Sequence, residues 1–228
     1  GMYPGDPGPL GGECAGEIVA LGDDVDAFHV GQQVMCLGQG TLASHINIPA
    51  TLATLSPVGM NTCQAATIPI SFLTAYHALH CVARLSAGER VLIHAGTGGL
   101  GMAAIQLAKA VGAEIFATAG SSTKRNFLVT LGVHHVMDSR SLDFADEIQR
   151  LTQAEGVDVV LNSLTGDFLR RSLDSLTTDG RFVEVGKAEI VDDKFIAEHY
   201  PSISYDFFDL VEIALNQPDH LQGMYKDL

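Results

Sequence analysis

Six consecutive residues, Gly96-Thr97-Gly98-Gly99-Leu100-Gly101, carry the clearest chemistry in the sequence. Their spacing is G-x-G-x-x-G. Glycines so placed allow a tight turn, a close approach of backbone to a pyrophosphate, and tight packing of the following helix on the preceding strand. The N-terminus of that helix presents unpaired N–H groups and the positive end of its dipole to an anion. A glycine turn alone is common, so its flanks decide the reading. Val91-Leu92-Ile93 ahead of it reads as a short buried strand. The segment after it places Ile105, Leu107 and Ala108 at helical spacing and stops at Gly112. Ile115-Phe116-Ala117 then reads as a second strand. Strand, glycine turn, helix and strand form the context that a dinucleotide site requires.

The end of the second strand indicates which dinucleotide. A site for NAD usually carries an acidic residue about twenty positions past the glycines, bonded to the ribose hydroxyls. Here the segment is Gly120-Ser121-Ser122-Thr123-Lys124-Arg125, with hydroxyls and cations but no carboxylate. Lys124 and Arg125 would neutralise a 2′-phosphate that a carboxylate would repel. NADPH is the expected cofactor. The alternative is that the two cations form only the basic first turn of a surface helix.

Three other points fall at strand exits, where open parallel sheets bind ligands. They are Asn162-Ser163-Leu164, Gly186-Lys187, and the stretch from Tyr205 to Asp209. Lys187 is either a functional cation or a solvated loop residue. The nine histidines form no recognisable cluster, and His94 lies within a strand, where a satisfied core histidine is the simpler reading. No G-x-S-x-G elbow and no H-E-x-x-H are present, which argues against hydrolase chemistry. Cys14, Cys36, Cys63 and Cys81 show no C-x-x-C pair, so free, buried thiols are expected rather than a metal site or disulfides.

The elements that must position these residues divide in two. Residues 1–60 are rich in Gly, Pro and alternating apolar positions, with strands expected at Gly16–Gly22 and Gln33–Leu37. Residues 61–228 begin with helical pattern around Asn61–Arg84, punctuated by Pro69. Strands and helices then alternate. Strands are expected at Val133–Met137, Val157–Leu161, Arg181–Val185 and Ile203–Phe207. Helices are expected at Phe144–Gln153, Gly166–Leu176 (with Gly180 as its C-cap), Phe208–Asn216 and after Pro218. The alternation predicts an α/β fold: a Rossmann doubly wound parallel sheet, preceded by part of a β-rich domain.

The sequence has 228 residues, 46% of them apolar, so a sizeable core is available. A net charge of −14 argues against nucleic acid or an anionic membrane as the main partner. The start GMYPGDPGP is no signal peptide, and no apolar run approaches a membrane span. A soluble, cytoplasmic protein is expected.

The order of parts resembles the medium-chain dehydrogenase/reductase superfamily. Pro9-Leu10-Gly11-Gly12-Glu13-Cys14-Ala15-Gly16, Val30-Gly31-Gln32-Gln33-Val34, Ser71-Phe72-Leu73-Thr74-Ala75-Tyr76 and His94–Met102 are similar to one branch of it. That branch is the enoyl reductase domains of modular polyketide synthases and animal-type fatty acid synthases. Val157–Leu164 and Arg181–Lys187 resemble it more specifically still. Gly11-Gly12-Glu13 lacks the histidine of the zinc-dependent branch, so the zinc-free branch is the match and no metal is expected.

The resemblance implies an enoyl reductase that moves a hydride from NADPH to the β-carbon of an α,β-unsaturated thioester. The partners implied are an acyl carrier protein presenting a phosphopantetheine-linked enoyl chain and neighbouring synthase domains. The first domain would be a partial GroES-like substrate domain. The family's strand and asparagine-arginine segment before Tyr3, and its closing stretch after Leu228, have no counterpart in this sequence. By the same resemblance Gly96–Gly101 would hold the pyrophosphate, and Ser121, Lys124 and Arg140 the adenosine phosphate. Thr74 and Asn162 would flank the nicotinamide. Lys187, following Gly186, and Asp209 match a pair placed near the substrate, and Tyr3 a tyrosine linked to the side of α-carbon protonation. Two rivals stand beside this reading: a free-standing NADPH quinone or alkenal reductase, and a nucleotide-binding module without catalysis.

Overall fold

The computed structural model describes residues 8–228, so Tyr3 lies outside the described residues. In chain order the strands are β1 (Glu13–Glu17), β2 (Gln33–Leu37), β3 (Ala53–Leu55), β4 (Arg90–Ile93), β5 (Glu114–Ala119), β6 (His135–Asp138), β7 (Val157–Asn162), β8 (Leu176–Glu184) and β9 (Ser204–Phe207). The α-helices are α1 (Thr62–Ala65), α2 (Pro69–Tyr76), α3 (Gly99–Val111), α4 (Ser122–Thr130), α5 (Asp143–Leu151), α6 (Asp167–Leu173), α7 (Asp193–His199), α8 (Leu210–Asn216) and α9 (Pro218–Asp227). Two compact units result. One comprises the described residues up to Thr74 together with Asp209–Leu228, and the other is Ala75–Phe208. The sequence pattern alone predicts a single boundary at 60/61.

The larger unit is a six-stranded sheet in the order β6-β5-β4-β7-β8-β9, with every pairing parallel. Parallel strands need crossovers, and helices supply them between β4 and β5, β5 and β6, β6 and β7, β7 and β8, and β8 and β9. Register aligns His135, Phe116, Leu92, Val160, Phe182 and Tyr205 in one row across all six strands. Phe144 and Ile148 of α5, Leu169 and Leu173 of α6 and Ile196 of α7 pack on that face. Burying such a side chain is worth about 1.5–3 kcal/mol, so this layer contributes strongly to the stability of the unit.

Several polar groups are buried inside that apolar unit, His94 among them. His94 follows β4, is 4% exposed, and has both ring nitrogens bonded. The Ser172 hydroxyl donates to the Phe168 carbonyl at 2.7 Å, so it accepts the Nε2–H of His94 at 2.7 Å. Nδ1 is then the acceptor for the Thr118 hydroxyl at 3.1 Å. The ring is neutral, and burial lowers its pKa to about 3.

The smaller unit holds an antiparallel sheet, β1-β2-β3. Cys14 and Cys36 face each other across β1 and β2, their Sγ atoms 3.2 Å apart as free thiols. The Gln222 side chain of α9 donates to the Thr51 and Ala53 carbonyls at 2.7 and 2.9 Å, which ties the last helix into this unit.

Several expectations are corrected. The first strand covers Glu13–Glu17 rather than Gly16–Gly22, because β2 supplies partners only from Gln33 to Leu37 and Gly31 turns the chain at φ +91°. Gly180 is not a C-cap. Helix α6 stops at Leu173, and β8 runs through Gly180, whose missing Cβ would lie 2.9 Å from the Leu176 side chain. Pro69 opens α2 rather than breaking a helix, and His77–Val82 forms a π-helical turn. Helix α7 has no counterpart among the expected elements.

The neutral state of His94 gives the first prediction. Its folded pKa is lowered, so the unfolded chain binds the extra proton and stability falls as pH drops from about 6.5 towards 3. Replacing His94 by Gln should reduce the pH slope of the unfolding free energy by up to about 1.4 kcal/mol per pH unit between about pH 4 and 6. Urea denaturation at several pH values measures that slope. An unchanged slope would contradict a buried neutral ring.

Candidate active site

The glycine turn is built around one carbonyl. Ala95 adopts φ +49°, and its carbonyl oxygen accepts the Gly98 N–H at 2.8 Å. The turn is anchored to the sheet where the Gly96 N–H donates to the Thr118 carbonyl at 2.9 Å. Helix α3 starts next, and its N-cap, Gly98, has no side chain with which to satisfy the first-turn N–H groups. Those donors remain available to an anion. Gly101 makes the close approach: a Cβ there would lie 2.5 Å from the Ala95 oxygen and 2.7 Å from the Gly96 Cα. Gly96 is enclosed by Ala117, Ile105 and Leu128, all within 3.3 Å of where its Cβ would stand. This is a cradle that side chains would fill, which is what a pyrophosphate cofactor needs.

Facing the turn is a cleft of about 130 Å³. Ala95 and Gly98–Gly101 line one side, and Leu161, Asn162, Ser163 and Val185 line the other. The glycines and Asn162, predicted from separate segments, are thereby brought together. Asn162 is fully buried, and its amide is fixed on every side. Its Nδ2 donates to the Leu164 carbonyl at 2.8 Å and to Glu184 Oε2 at 2.5 Å, while its Oδ1 accepts the Leu164 N–H at 3.1 Å.

Glu184 is not among the residues that the sequence pattern singles out, though a carboxylate inside the apolar run Arg181–Val185 was the available signal. It is 1% exposed, and its Oε1 accepts the Gly186 N–H at 2.6 Å. Burial raises its pKa to about 7, against the opposing pull of the Asn162 and backbone donors. A Cβ at Gly186 would lie 2.8 Å from Glu184 Oε1, so a side chain there would displace that carboxylate oxygen. Lys187 follows and is exposed. The segment beyond it is tied down twice. The Glu189 carboxylate accepts the Gly166 N–H at 2.7 Å, and the Tyr205 hydroxyl accepts the Val191 N–H at 3.1 Å.

At the exit of β5 the predicted phosphate ligands meet a carboxylate from the next strand. Arg125 pairs with Asp138 Oδ2 at 2.8 Å and donates to the Ala119 carbonyl at 3.2 Å. Ser121 caps α4, its hydroxyl accepting the Lys124 N–H at 3.3 Å. Asp138 Oδ1 takes the Arg140 N–H at 2.8 Å, and the Arg140 side chain lies over Gly120, its Nε 2.8 Å from where a Cβ would be. Ser121, Lys124, Arg125 and Arg140 thus share one strand exit, with Arg125 already engaged by an acid.

The remaining candidates belong to the smaller unit. Thr74 is half-buried within α2. Asp209 caps α8, accepting the Val211 N–H at 2.9 Å. Glu13, of the Gly11-Gly12-Glu13 motif, has its carboxylate on the Ile70 N–H at 2.7 Å.

The parallel sheet with a glycine turn at its central strand defines a dinucleotide-binding fold of the Rossmann type. Residues 1–59 match the family described as alcohol dehydrogenase GroES-like domain, and residues 99–208 that described as zinc-binding dehydrogenase. The chain is 50% identical over 196 residues to a phenolphthiocerol/phthiocerol polyketide synthase of Mycobacterium tuberculosis, a match covering 85% of this chain and 9% of the synthase. The crystal structure of CurK enoyl reductase superposes with a TM-score of 0.93 at 46% identity, covering 96% of this chain and 66% of that one. The nucleotide-binding subdomain of the enoylreductase domain of PpsC, also from Mycobacterium tuberculosis, matches at 47% identity with a TM-score of 0.63, covering 70% of this chain and 90% of that one. The chain therefore belongs to the enoyl reductase domains of polyketide synthases, in the medium-chain dehydrogenase/reductase superfamily. It spans about a tenth of the length of the synthase it matches. Among the described residues no helix is long and apolar enough to cross a membrane.

The contact at Gly101 supplies a prediction. Its neighbours are backbone, which cannot move aside as a side-chain end could. Gly101→Ala should cost about 1–3 kcal/mol of stability by overpacking and should weaken nucleotide binding more than tenfold. Denaturant titration and quenching of bound-nucleotide fluorescence measure the two effects. Full-strength binding in the variant would contradict the cradle.

Proposed function

We propose that this chain carries the nucleotide-binding machinery of an NADPH-dependent enoyl reductase acting on an α,β-unsaturated acyl thioester attached to an acyl carrier protein. The observation that carries the reading is the convergence of three strand ends on one cleft: the β4 glycine turn, Asn162 and Ser163 at the end of β7, and Val185 at the exit of β8. NADPH, when bound there, supplies the hydride that reduces the β-carbon of the thioester.

The chain's own residues do the rest. First-turn N–H groups of α3 hold the pyrophosphate. Lys124, Arg140 and the Ser121 hydroxyl, at the β5 exit, take the 2′-phosphate, while Arg125 neutralises Asp138 and so removes a nearby negative charge. Asn162, immobilised by its own bonds, orients the nicotinamide amide. Lys187 places a cation where negative charge gathers on the thioester oxygen, and charge there is stabilised most by groups already in position. Lys187, with Asp209 and Tyr3 as the resemblance implies, is a candidate for the group that supplies the α-carbon with its proton. Tethering within a synthase gives the carrier a high local concentration, so a net charge of −14 need not attract an acidic carrier.

Two measurements test this. Arg140→Ala should raise the dissociation constant for NADPH about tenfold and leave that for NADH nearly unchanged. An equal loss for both nucleotides would place Arg140 away from the 2′-phosphate. Oxidation of NADPH by crotonyl-pantetheine should exceed that by a simple quinone, and Lys187→Ala should lower kcat for the thioester about 100-fold without weakening NADPH. Preference for the quinone would point to a free-standing reductase, and binding without turnover to a nucleotide module.

A further inference from the structure

Glu184 takes no part in the reaction itself, yet it is the buried group that joins both strand exits on the far side of the cleft. Its Oε2 receives the Asn162 amide at 2.5 Å, and its Oε1 receives the Gly186 N–H at 2.6 Å. We propose that Glu184 is a positioning residue whose carboxylate form sets Asn162 and the Gly186 exit in the arrangement that binds the nicotinamide end of the nucleotide. The proposal rests on the nucleotide reading of the cleft.

The physical basis is a match of donors and acceptors. Asn162 has two N–H bonds, one spent on the Leu164 carbonyl and the other on Glu184. Gly186 offers a single N–H. Two donors on two oxygens match an ionised carboxylate, which only accepts. A proton on either oxygen sets a hydroxyl against an N–H donor, and one of the two exits loses its hold. Glu184 feels the charge of Glu189, on the segment after β8, and Tyr205, on β9, feels that of Glu184, while β7 presents the neutral Asn162. Burial, with a smaller push from Glu189, raises the Glu184 pKa to about 7. The competent form is therefore only partly populated near neutrality.

Function and stability then respond to pH in opposite directions. A carboxyl raised from 4.5 to about 7 on folding contributes stability that is whole below 4.5 and is lost as pH rises through about 7. Over the same rise the ionised form gains population, and with it the fixed cleft. Binding and ionisation are linked, so nucleotide binding must drive the carboxyl to lose its proton.

Calorimetric titration of NADPH into the 228-residue chain, in two buffers of different ionisation enthalpy from about pH 6 to 8.5, reads this linkage. In the native protein, affinity should rise about fivefold or more over that range, with proton release on binding below pH 7. In Glu184→Gln, which cannot ionise, both effects should shrink to the part due to the nucleotide's own 2′-phosphate, which is common to the two proteins. Denaturant unfolding should show the Gln variant gaining stability relative to the native protein as pH rises. A purely structural Glu184 would alter stability but leave proton release the same in both proteins, and that result overturns the proposal. If the Gln variant does not fold, the same titration with NADH, which lacks the 2′-phosphate, tests the native protein alone, and pH-independent affinity with no proton release overturns the proposal equally. Failure to bind NADPH at any pH would remove the nucleotide reading and this inference with it.

Discussion

The site depends on a contact that no side chain could make. At Gly101, helix α3 passes within van der Waals reach of the Ala95 carbonyl and the Gly96 backbone. That approach lets the helix begin directly over the exit of β4, the centre of the sheet, so its free N–H groups face the crevice between β4 and β7. The sheet order changes direction at this point, since β5 and β6 lie to one side of β4 and β7 to β9 to the other. A crevice at such a switch point is where open α/β sheets bind ligands. Apolar burial holds the sheet together, but this close packing decides where it can bind.

Two buried ionisable groups flank that crevice, and they solve the same physical problem differently. His94 meets hydroxyls, which can donate to one nitrogen and accept from the other, so the neutral ring is satisfied and its charge is suppressed. Glu184 meets two N–H donors, which favour its charged form, while burial opposes it. The histidine is therefore inert at physiological pH, and the carboxylate is balanced between two states there. A group in that balance is unusual in a merely structural role, and sites of function are where such compromises gather.

Much of this is legible in the sequence because it is local. The glycine turn, α3, and the apolar runs of β4, β5 and β7 are written in adjacent residues with the right period. The expected strands at Val157–Leu161 and Ile203–Phe207 match β7 and β9 within about a residue. What fails is set by distant partners. The length of β8 depends on pairing with Val157 as well as with the core of β7, so Gly180 looks like a stop but lies within the strand. The exit of β5 reads as free of acids, and Asp138 reaches it only because β6 pairs alongside. The return of residues 209–228 to the smaller unit rests on bonds such as those of Gln222, about 170 residues from its partners. Glu184 is visible as a residue but not as a site, because its meaning lies in Asn162 on the neighbouring strand. The roles proposed for Lys187, Asp209 and Tyr3 rest on the resemblance, since no local pattern could suggest them.

The proposed reaction is reduction of an enoyl thioester at its β-carbon by a nicotinamide held in this cleft. The most direct test is to supply NADPH deuterated at C4, on each face in turn, with crotonyl-pantetheine, and to locate the label by NMR. The account predicts deuterium at the β-carbon from one face only, with the α-carbon hydrogen drawn from solvent. Label at the α-carbon, or none in the product from either face, would contradict it.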